Sequence, residues 1–423
     1  MPAFFDDLTW RGLVHQVTDP ALPALLEAQP LTLYVGFDPT ADSLHVGHLQ
    51  QLLLLRRAQG AGHRPIALLG GGTGMIGDPS GKSDERNLLA TEVLSANSAA
   101  VEAQVRTFID TTPGAGLVVD NALWLAEVGL LDFLRDVGKA FSVNEMVRKD
   151  SVRERLEGRE QGLSFAEFAY QLCQAWDFVQ LFERHGCRLQ LGGSDQWGNI
   201  TAGIDLVRRL AGGTAFGLTS PLVTKADGTK FGKTEAGTVW LSPERTSVYQ
   251  FFQFWLRVPD SEVGGYLRRF TLLGPEAVAE LDAAAGSRPE SRDAQRRLAR
   301  EVTTLVHGGA EAARAERAAQ ALFTDQVVTL DEATLAAALA GAPTTTVSAA
   351  DLDAGLSLVD ALVRTGLAPS KGRARQDLAQ GGVHVNGRRQ SGERILDAGD
   401  ALHGRFVLLR RGRATQHVLL RGG

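Results

Sequence analysis

Residues 38–48, which read DPTADSLHVGH, decide the fold. They follow a short apolar run and lead into a longer stretch with helical periodicity, so they connect a predicted strand to a predicted helix. His45 and His48 then stand at a helix amino terminus, where free backbone N–H groups and the helix dipole favour an anion such as phosphate. Gly47 between them lets a base or a ribose approach the backbone closely. Taken alone, the pattern fits a structural histidine pair or a weak metal pair equally well.

Short apolar runs alternate with longer amphipathic ones from residue 31 to about residue 223. This alternation is typical of the strands and crossover helices of a parallel sheet. The sequence therefore predicts an α/β, Rossmann-like catalytic domain over residues 1–235. Its predicted strands are 31–37, 65–69, 116–119, 188–191 and 218–223. Its predicted helices are 48–59, 88–109, 130–137, 165–184 and 196–210.

The rest of the chain divides into three predicted parts. Residues 236–323 carry helical periodicity, as in 248–256 and 291–306, and predict a small helical domain. Residues 324–353 are rich in alanine, threonine and acidic side chains, and we expect a linker there. Residues 354–423 hold 12 Lys and Arg against 5 Asp and Glu, a net charge of +7 in a chain whose total is −5. A basic module on an acidic body indicates that this end meets a polyanion.

Composition limits the class of protein. A hydrophobic fraction of 44% with 22% charged residues is typical of a globular chain with a sizeable core. No apolar run approaches the roughly 18 residues needed to cross a bilayer, and residues 1–7 lack the basic region of a signal peptide. We therefore expect a cytoplasmic protein without a membrane partner. Cys173 and Cys187 are too far apart for a cysteine metal pair, so buried, reduced thiols and no protein-bound metal are expected.

Two glycine-rich matches fail as nucleotide motifs. Gly72, Gly74 and Gly77 have the spacing of a dinucleotide fingerprint, but residues 78–81 continue a loop where that motif needs a helix. Gly77, Gly81, Lys82 and Ser83 resemble a P-loop, but there are three residues between the glycines instead of four. A nicotinamide- or flavin-dependent enzyme is therefore the weakest of the functional alternatives.

A lysine-rich loop lies at residues 225–234. Lys230 and Lys233 stand three residues apart and are flanked by glycines, which suits a cationic loop that closes over a polyphosphate in a transition state. On its own, such a loop fits a solvated surface segment as well. The histidine motif earlier in the chain favours the functional interpretation.

Together these features resemble the two nucleotide signatures of class I aminoacyl-tRNA synthetases. Further segments are similar to bacterial-type tyrosyl-tRNA synthetases over nearly the whole chain, namely residues 34–45, 77–82, 141–144 and 192–200. The lysine loop departs from the general class I pattern, with Phe231, Gly232 and Thr234 in place of Met, Ser and Ser. Val35 replaces a cysteine found in some members, and Leu123 interrupts an expected Asn-x-Asp-Trp stretch.

The resemblance implies a two-step reaction. Tyrosine and ATP, with Mg²⁺ bound to the nucleotide, would give tyrosyl-adenylate and pyrophosphate. The tyrosyl group would then pass to the 3′ end of tRNA(Tyr). The resemblance also implies a homodimer with residues 130–144 near the interface. Tryptophan activation and a catalytically silent RNA-binding protein are the alternatives.

The spacing of the residues and the family resemblance both place amino-acid-binding side chains on the same predicted helix. Tyr170, Gln174 and Asp177 are spaced i, i+4 and i+7, so they share one face, which fits either a solvated or a ligand-binding surface. The resemblance implies that Tyr34 and Asp177 bind the phenol of tyrosine. It also implies that the ammonium and carboxyl groups are held by Asp78, Tyr170, Gln174 and Gln196.

For ATP, the resemblance implies that Thr40 and His45 stabilise the γ-phosphate, that His48 lies on the ribose and base side, and that Asp195 binds the ribose hydroxyls. The residues expected to meet the pyrophosphate are Lys82, Arg86, Lys230 and Lys233. The remaining ATP contacts are expected from Gly36, Asp38, Gly47 and Gly193.

The tail resembles an α-L RNA-binding domain through residues 357–362, 370–375 and 382–387. A basic solvated face is the alternative. The side chains expected to contact tRNA phosphates are Lys371, Arg373, Arg375, Arg388 and Arg389, so binding should weaken as salt rises.

Overall fold

The structure, a computed structural model, describes residues 3–79, 89–148, 164–224, 231–234, 237–322, 324–412 and 415–422. The chain divides into two compact units. The first comprises Met1–Ser242 and Pro259–Ala294, and the second comprises Pro243–Val258 and Gln295–Gly423. Within the described ranges, no helix is both long and apolar enough to span a membrane.

The first unit is built on a sheet of six described strands. These are β1 (Gln16–Val17), β2 (Thr32–Phe37), β3 (Arg64–Leu69), β4 (Leu117–Asp120), β5 (Cys187–Gly193) and β6 (Phe216–Ser220). Their order is β1-β6-β5-β2-β3-β4, with β2 to β6 parallel and β1 antiparallel to β6. A separate antiparallel pair joins β7 (Lys233–Thr234) to β8 (Gly237–Thr238).

The helices alternate with these strands and continue into the second unit. Up to residue 211 they are α1 (Phe4–Trp10), α2 (Leu22–Ala28), α3 (Val46–Gly60), α4 (Thr91–Val105), α5 (Ala122–Leu125), α6 (Leu130–Asp136), α7 (Val143–Val147), α8 (Phe165–His185) and α9 (Trp197–Ala211). After residue 247 they are α10 (Val248–Leu256), α11 (Asp260–Phe270), α12 (Pro275–Ser287), α13 (Asp293–His307), α14 (Gly309–Ala321), α15 (Glu332–Leu339), α16 (Ala349–Asp353), α17 (Leu358–Arg364) and α18 (Lys371–Ala379). Helices α1 to α9, α11 and α12 belong to the first unit.

The strand order places a binding edge at the carboxyl ends of β2 and β5. Strand β2 lies between β5 and β3, so the chain leaves β2 toward one side of the sheet and later returns to its other side. Open α/β sheets bind ligands in the crevice at such a switch point. The α/β prediction is therefore confirmed, and the carboxyl ends of β2 and β5 position the site.

Most predicted elements of the first unit agree with the structure to within a few residues. The largest difference among the strands is at 218–223, which the structure places at Phe216–Ser220. Pro221 follows directly, and proline has no N–H to donate to a sheet. Helix α8 has Ser164 as its N-cap, whose Oγ accepts the N–H of Glu167 at 3.3 Å, and Gly186 as its C-cap, whose φ is 62°. These local signals explain why its predicted bounds were close.

The second unit contains a five-stranded sheet in the described range. Its strands are β9 (Thr344–Val347), β11 (Val383–Val385), β12 (Arg388–Gln390), β14 (Phe406–Arg411) and β15 (Thr415–Arg421), in the order β12-β11-β14-β15-β9. A short pair joins β10 (Leu356–Ser357) to β13 (Ile395–Leu396). One face of the five-stranded sheet packs in a core with Leu358, Leu362 and Leu378. Phe406, Leu408 and Val418 belong to a second core with Tyr249 and Leu335.

The predicted linker at 324–353 is wrong, because this segment is folded. It contains α15, α16 and β9, and β9 pairs parallel with β15. Leu335 and Leu339, four residues apart on α15, are buried in the second core. Its alanine-rich composition concealed a narrow apolar helix face. The predicted helical domain 236–323 is also divided, because α11 and α12 belong to the first unit whereas α10 and α14 belong to the second.

Candidate active site

The two histidines of the first motif lie at the amino end of α3. His45 is the N-cap, and its Nδ1 accepts a hydrogen bond from the N–H of Gly47 at 3.1 Å. The N–H of His45 donates to Nδ1 of His48 at 3.2 Å, and the two rings stack with centroids 3.9 Å apart. Because each Nδ1 accepts, a neutral ring carries its proton on Nε2. Both rings therefore have the tautomer in which Nε2 is a donor, as an anionic ligand requires.

Asp177 is a buried carboxyl in the middle of α8, with 2% of its surface exposed. Trp124 Nε1 donates to its Oδ1 at 2.7 Å, and Asn121 Nδ2 donates to its Oδ2 at 3.0 Å. Burial raises the pKa of Asp177 to about 7, although the two hydrogen bonds act in the opposite direction. Asn121 and Trp124 therefore fix the orientation of this carboxyl.

Tyr34 on β2 is 1% exposed and packs edge-on against Phe178, with ring centroids 5.2 Å apart. Its hydroxyl has no hydrogen-bond partner in the described part of the chain. Burial, followed by the charge of Asp177, raises the pKa of Tyr34 well above its ordinary value, so the phenol stays protonated. A buried hydroxyl without a partner costs about 1–3 kcal/mol, which a polar ligand atom would recover. Tyr34 and Asp177 together therefore suit a ligand hydroxyl.

A second hydrogen-bonded group is centred on Asp38, directly after β2. The Tyr170 hydroxyl donates to Oδ2 of Asp38 at 3.1 Å, and Thr73 Oγ1 donates to Oδ1 at 2.9 Å. Burial, then the charges of Asp38, Asp78 and Asp177, raise the pKa of Tyr170 well above its ordinary value. Several carboxylates thus converge near one tyrosine, which suits a cationic ligand group.

Three amide side chains near the carboxyl end of β5 are linked by hydrogen bonds, those of Gln174, Gln196 and Asn199. Gln174 Nε2 donates to Oε1 of Gln196 at 3.2 Å, and Asn199 Nδ2 donates to Oε1 of Gln174 at 3.0 Å. Gln196 Nε2 donates to Oδ2 of Asp78 at 2.8 Å and to Oδ2 of Asp195 at 3.4 Å. Residues predicted from distant parts of the sequence are therefore brought together. Asn199 completes the group.

The glycines of the site serve different purposes. A Cβ at Gly36 would meet nothing within 4 Å, so the space above the end of β2 is open. A Cβ at Gly47 would lie 2.8 Å from the His45 ring, and one at Gly193 would lie 2.4 Å from Oδ1 of Asp195. Because they have no Cβ, Gly47 and Gly193 leave room for the side chains of His45 and Asp195, whereas Gly36 leaves room for a ligand.

The lysine signature is described only in part. Lys82, Arg86 and Lys230 lie outside the described residues, and Lys233 is described only as a backbone position in β7. Phe231 is 8% exposed, and the N–H of Val239 donates to the carbonyl of Gly232 at 2.9 Å. An isolated antiparallel bridge pairs His45 with Trp240. The segment after the lysine signature therefore contacts the histidine motif directly.

The glycine-rich run 70–74 does not form a dinucleotide site. Thr73–Met75 is a single 3₁₀ turn, not the start of an α-helix. The N–H of Gly71 donates to Oδ1 of Asp120 at 3.1 Å, and that of Gly72 donates to Oδ1 of Asn121 at 2.8 Å. Those two N–H groups are already engaged by side chains, so they are not presented to a pyrophosphate.

The predicted tail cations fall into two groups. Lys371, Arg373 and Arg375 form ion pairs with Asp360 at 2.6 Å, Asp377 at 3.1 Å and Glu393 at 2.8 Å. Arg388 and Arg389 on β12 have no carboxylate partner within the part of the chain that the structure describes.

Sequence reasoning missed several residues of both regions. In the tail, Arg410 lies opposite His384 in the β11–β14 register, and Arg389 lies opposite His384 on the other side, so the three side chains share one face. In the site, Asn121 and Trp124 were noted only as part of an interrupted motif. Their spacing gives no sign that both donate to Asp177, because the contact joins segments more than fifty residues apart.

Comparison with known proteins identifies the family of this chain. Residues 26–324 match the family described as tRNA synthetases class I (W and Y), and residues 334–419 match the tyrosine--tRNA ligase SYY-like C-terminal domain. The chain is 52% identical to a tyrosine--tRNA ligase of Roseiflexus castenholzii, with 99% of each chain covered. It is 49% identical to that of Geobacillus stearothermophilus, with 98% of each covered. A C-terminally truncated Aspergillus nidulans mitochondrial tyrosyl-tRNA synthetase superposes with a TM-score of 0.69 at 31% identity, over 76% of this chain and 95% of that one.

The parallel sheet, the histidine motif at the start of α3 and the matched domain define a class I aminoacyl-tRNA synthetase. Within that class, the chain belongs to the bacterial-type tyrosyl-tRNA synthetases.

Two positions depart from the family pattern, Leu123 and Val35. Leu123 is 57% exposed, so the interrupted stretch leaves the neighbouring Asn121 and Trp124 in contact with Asp177. Val35 is buried within β2.

Proposed function

We propose that this ligase selects tyrosine by its phenol, through Tyr34 and Asp177. The observation that carries the proposal is a buried hydroxyl without a described partner, close to a buried carboxyl that two donors hold in place. A tyrosine phenol would donate to Asp177 and accept from Tyr34. Phenylalanine would leave both groups unsatisfied, at a cost of about 1–3 kcal/mol for each.

The remaining amino-acid contacts follow from the charges around the pocket. Asp78, Tyr170 and Gln174 would hold the ammonium group, since carboxylates converge near Tyr170. Gln196 would hold the carboxyl group through the Nε2 that now donates to Asp78. This exchange of partners would orient the substrate carboxylate toward the nucleotide.

The nucleotide would lie across the amino end of α3. Thr40 and the Nε2–H of His45 would stabilise the γ-phosphate, and His48 would contact the ribose and base side. Asp195 would bind the ribose hydroxyls. The remaining contacts with ATP would come from Gly36, Asp38, Gly47 and Gly193. The contacts with the pyrophosphate would come from Lys82, Arg86, Lys230 and Lys233. ATP would enter as its magnesium complex, which is part of the substrate.

The first step needs no protein acid, base or nucleophile. The tyrosine carboxylate attacks the α-phosphorus of ATP, a P–O bond forms, and the bond to pyrophosphate breaks. The protein's contribution is to position the two reactants and to stabilise the charge on the departing pyrophosphate. In the second step the terminal ribose hydroxyl of tRNA attacks the tyrosyl carbonyl, and AMP leaves.

The tail module would bind tRNA(Tyr) through phosphates, with contacts from Lys371, Arg373, Arg375, Arg388 and Arg389. Arg388 and Arg389 would contribute more than Lys371, because a cation already paired with a carboxylate gains less from a phosphate. Filter binding of tRNA at several salt concentrations tests this. Arg389→Ala should reduce the slope of log affinity against log salt by about one, whereas Lys371→Ala should reduce it less. Equal slopes would contradict the ranking.

A homodimer is supported by an exposed apolar surface near residues 130–144. Leu130, Leu131 and Val143 are 71%, 79% and 61% exposed. An apolar patch of this kind is typical of a subunit interface. We also propose that the ligase works in the cytoplasm.

ATP–pyrophosphate exchange with separate amino acids tests the proposed function. Labelled pyrophosphate should enter ATP when tyrosine is added, and not with tryptophan or phenylalanine. Exchange with tryptophan alone would contradict the assigned pocket while keeping the reaction. No exchange by folded protein with any of the three would leave RNA binding as the function.

A further inference from the structure

Phe231, between the two lysines of the second signature, is anchored on helix α11. Its ring stacks on Phe270 with centroids 5.3 Å apart and an interplanar angle of 19°. It also packs against Tyr266 at 5.0 Å, tilted by 53°. Tyr266 and Phe270 lie four residues apart on α11, so they form one aromatic face. All three side chains are buried.

Helix α11 is itself held by two buried arginines. Arg57, on α3, donates through Nη2 to the carbonyls of Arg269 at 2.8 Å and Thr271 at 2.7 Å. Arg11 donates to the carbonyls of Arg268 at 2.8 Å, Thr271 at 3.2 Å and Leu273 at 3.0 Å. These carbonyls lie at or just beyond the carboxyl end of α11, where helical partners are lacking and a cation is favoured.

The same helix that carries Arg57 begins at the histidine motif. Helix α3 has His45 as its N-cap and Arg57 in its last turn. Burial, then the charge of Arg11, lowers the pKa of Arg57 to about 9, so the guanidinium is still charged at neutral pH. One rigid helix therefore joins the histidine motif to the end of α11.

The other side of the lysine segment contacts the histidine motif directly. Gly232 has φ of 82°, and a Cβ there would lie 2.5 Å from Cγ2 of Val46. The N–H of Val46 donates to the carbonyl of Val239 at 3.0 Å, and the N–H of Val239 donates to the carbonyl of Gly232 at 2.9 Å. The backbone at 231–232 is therefore fixed on two sides. The Phe231 ring packs against α11, and Gly232 packs against the first residue of α3.

We infer that Tyr266 and Phe270 are positioning residues for tyrosine activation, which hold Phe231 so that Lys233 is placed for the pyrophosphate. This inference rests on the proposed function, because it assigns the flanking lysines to ATP. Tyr266 and Phe270 touch no substrate; they act through the backbone beside Lys233. The aromatic face of α11 thereby aligns the second nucleotide signature with the first.

Three substitutions test the inference against the wild-type exchange reaction. Tyr266→Leu keeps an apolar side chain but removes the ring, and we expect the rate constant for activation to fall about 10- to 100-fold, as for a misplacement of roughly 1 Å. Phe270→Leu should act in the same direction. Tyr266→Phe keeps the ring and removes the hydroxyl, which donates to Oε2 of Glu262 at 2.6 Å, so the variant should keep nearly the wild-type rate.

Phe216→Leu is the matched control, because it also replaces a buried ring by leucine. Phe216 is a buried aromatic residue at the amino end of β6, the edge of the sheet opposite the site. It reports a general loss of packing. The dissociation constant for tyrosine, measured by equilibrium dialysis, should stay within about twofold of wild type in Tyr266→Leu, because ground-state tyrosine contacts are unchanged.

A double-mutant cycle with Lys233→Ala decides whether the effect passes through that lysine. Tyr266→Leu should slow single-turnover activation strongly in the wild-type background and less than about twofold in the Lys233→Ala background. Additive losses, or a loss in Tyr266→Leu no larger than in Phe216→Leu, would overturn the inference. If the wild-type protein itself failed to exchange with tyrosine, the proposed function would fall instead.

Discussion

The pocket around Asp177 and the proposed nucleotide end around His45 lie at the same edge of one sheet, but their side chains are held differently. Tyr34 and Asp177 are 1% and 2% exposed, and Asp177 is fixed by donors from another element. At the nucleotide end, Thr40 is exposed and the space beside Gly36 is open. A buried polar group discriminates because an unmatched partner is costly. An open backbone surface suits a charged ligand instead.

The largest expected effect comes from Asp177→Ala, which breaks the pocket alone. It removes the acceptor of both Trp124 and Asn121, as well as the acceptor proposed for the substrate phenol. We expect kcat/KM for tyrosine to fall by about 10³-fold or more, as for the loss of several buried hydrogen bonds. Steady-state exchange measures this. The KM for ATP should change little, and a parallel rise in it would contradict the separation of the two regions.

His45→Ala is the corresponding substitution at the nucleotide end. It removes one donor from the position where the proposed function has charge developing, so kcat should fall by about 10²-fold. Equilibrium dialysis should give an unchanged dissociation constant for tyrosine. Weaker tyrosine binding in this variant would mean that the histidine motif also shapes the pocket.

Tyr34→Phe should have a smaller effect, and it separates the contribution of Tyr34 from that of Asp177. It removes one neutral donor and leaves Asp177 in place, so we expect a loss of about tenfold in the preference for tyrosine over phenylalanine. The full preference known for this enzyme family is about 10⁵, a value established for tyrosyl-tRNA synthetases and not obtained from this chain. Competitive exchange with both amino acids measures the change. An unaltered preference would remove Tyr34 from phenol recognition.

The pH dependence of stability should be the smallest effect. The pKa of Asp177 is raised from 3.8 to about 7. Between these values the folded state binds a proton that the unfolded state has lost, so this group makes the free energy of unfolding fall as pH rises from about 4 to about 7. Urea unfolding of wild type and Asp177→Asn at several pH values isolates the contribution as a difference. A difference that is constant with pH would contradict the raised pKa.

The sequence predicts the sheet and the positions of the main site residues because their signals are local. Alternating apolar runs mark β2 and β3, and the spacing of Tyr170, Gln174 and Asp177 places all three on α8. The roles of these residues stay predictions. Their spacing nonetheless identified the helix that carries the buried carboxyl.

What the sequence did not predict depends on contacts between distant segments. The donors to Asp177 come from residues 121 and 124, and no periodicity relates them to α8. Ion pairs of the tail, such as Lys371 with Asp360, likewise depend on the folded arrangement. The linker expectation for 324–353 is wrong because composition does not show that this segment contains a strand, β9, which pairs with the distant β15.

Amino-acid preference in parallel variants tests the central claim most directly. The ratio of kcat/KM for tyrosine to that for phenylalanine should be measured by pyrophosphate exchange in wild type, Asp177→Ala and His45→Ala. The account predicts that the ratio collapses in Asp177→Ala and is preserved in His45→Ala, although both enzymes are slow. A ratio that falls equally in the two variants, or in neither, would contradict the claim that the buried pocket alone selects the substrate.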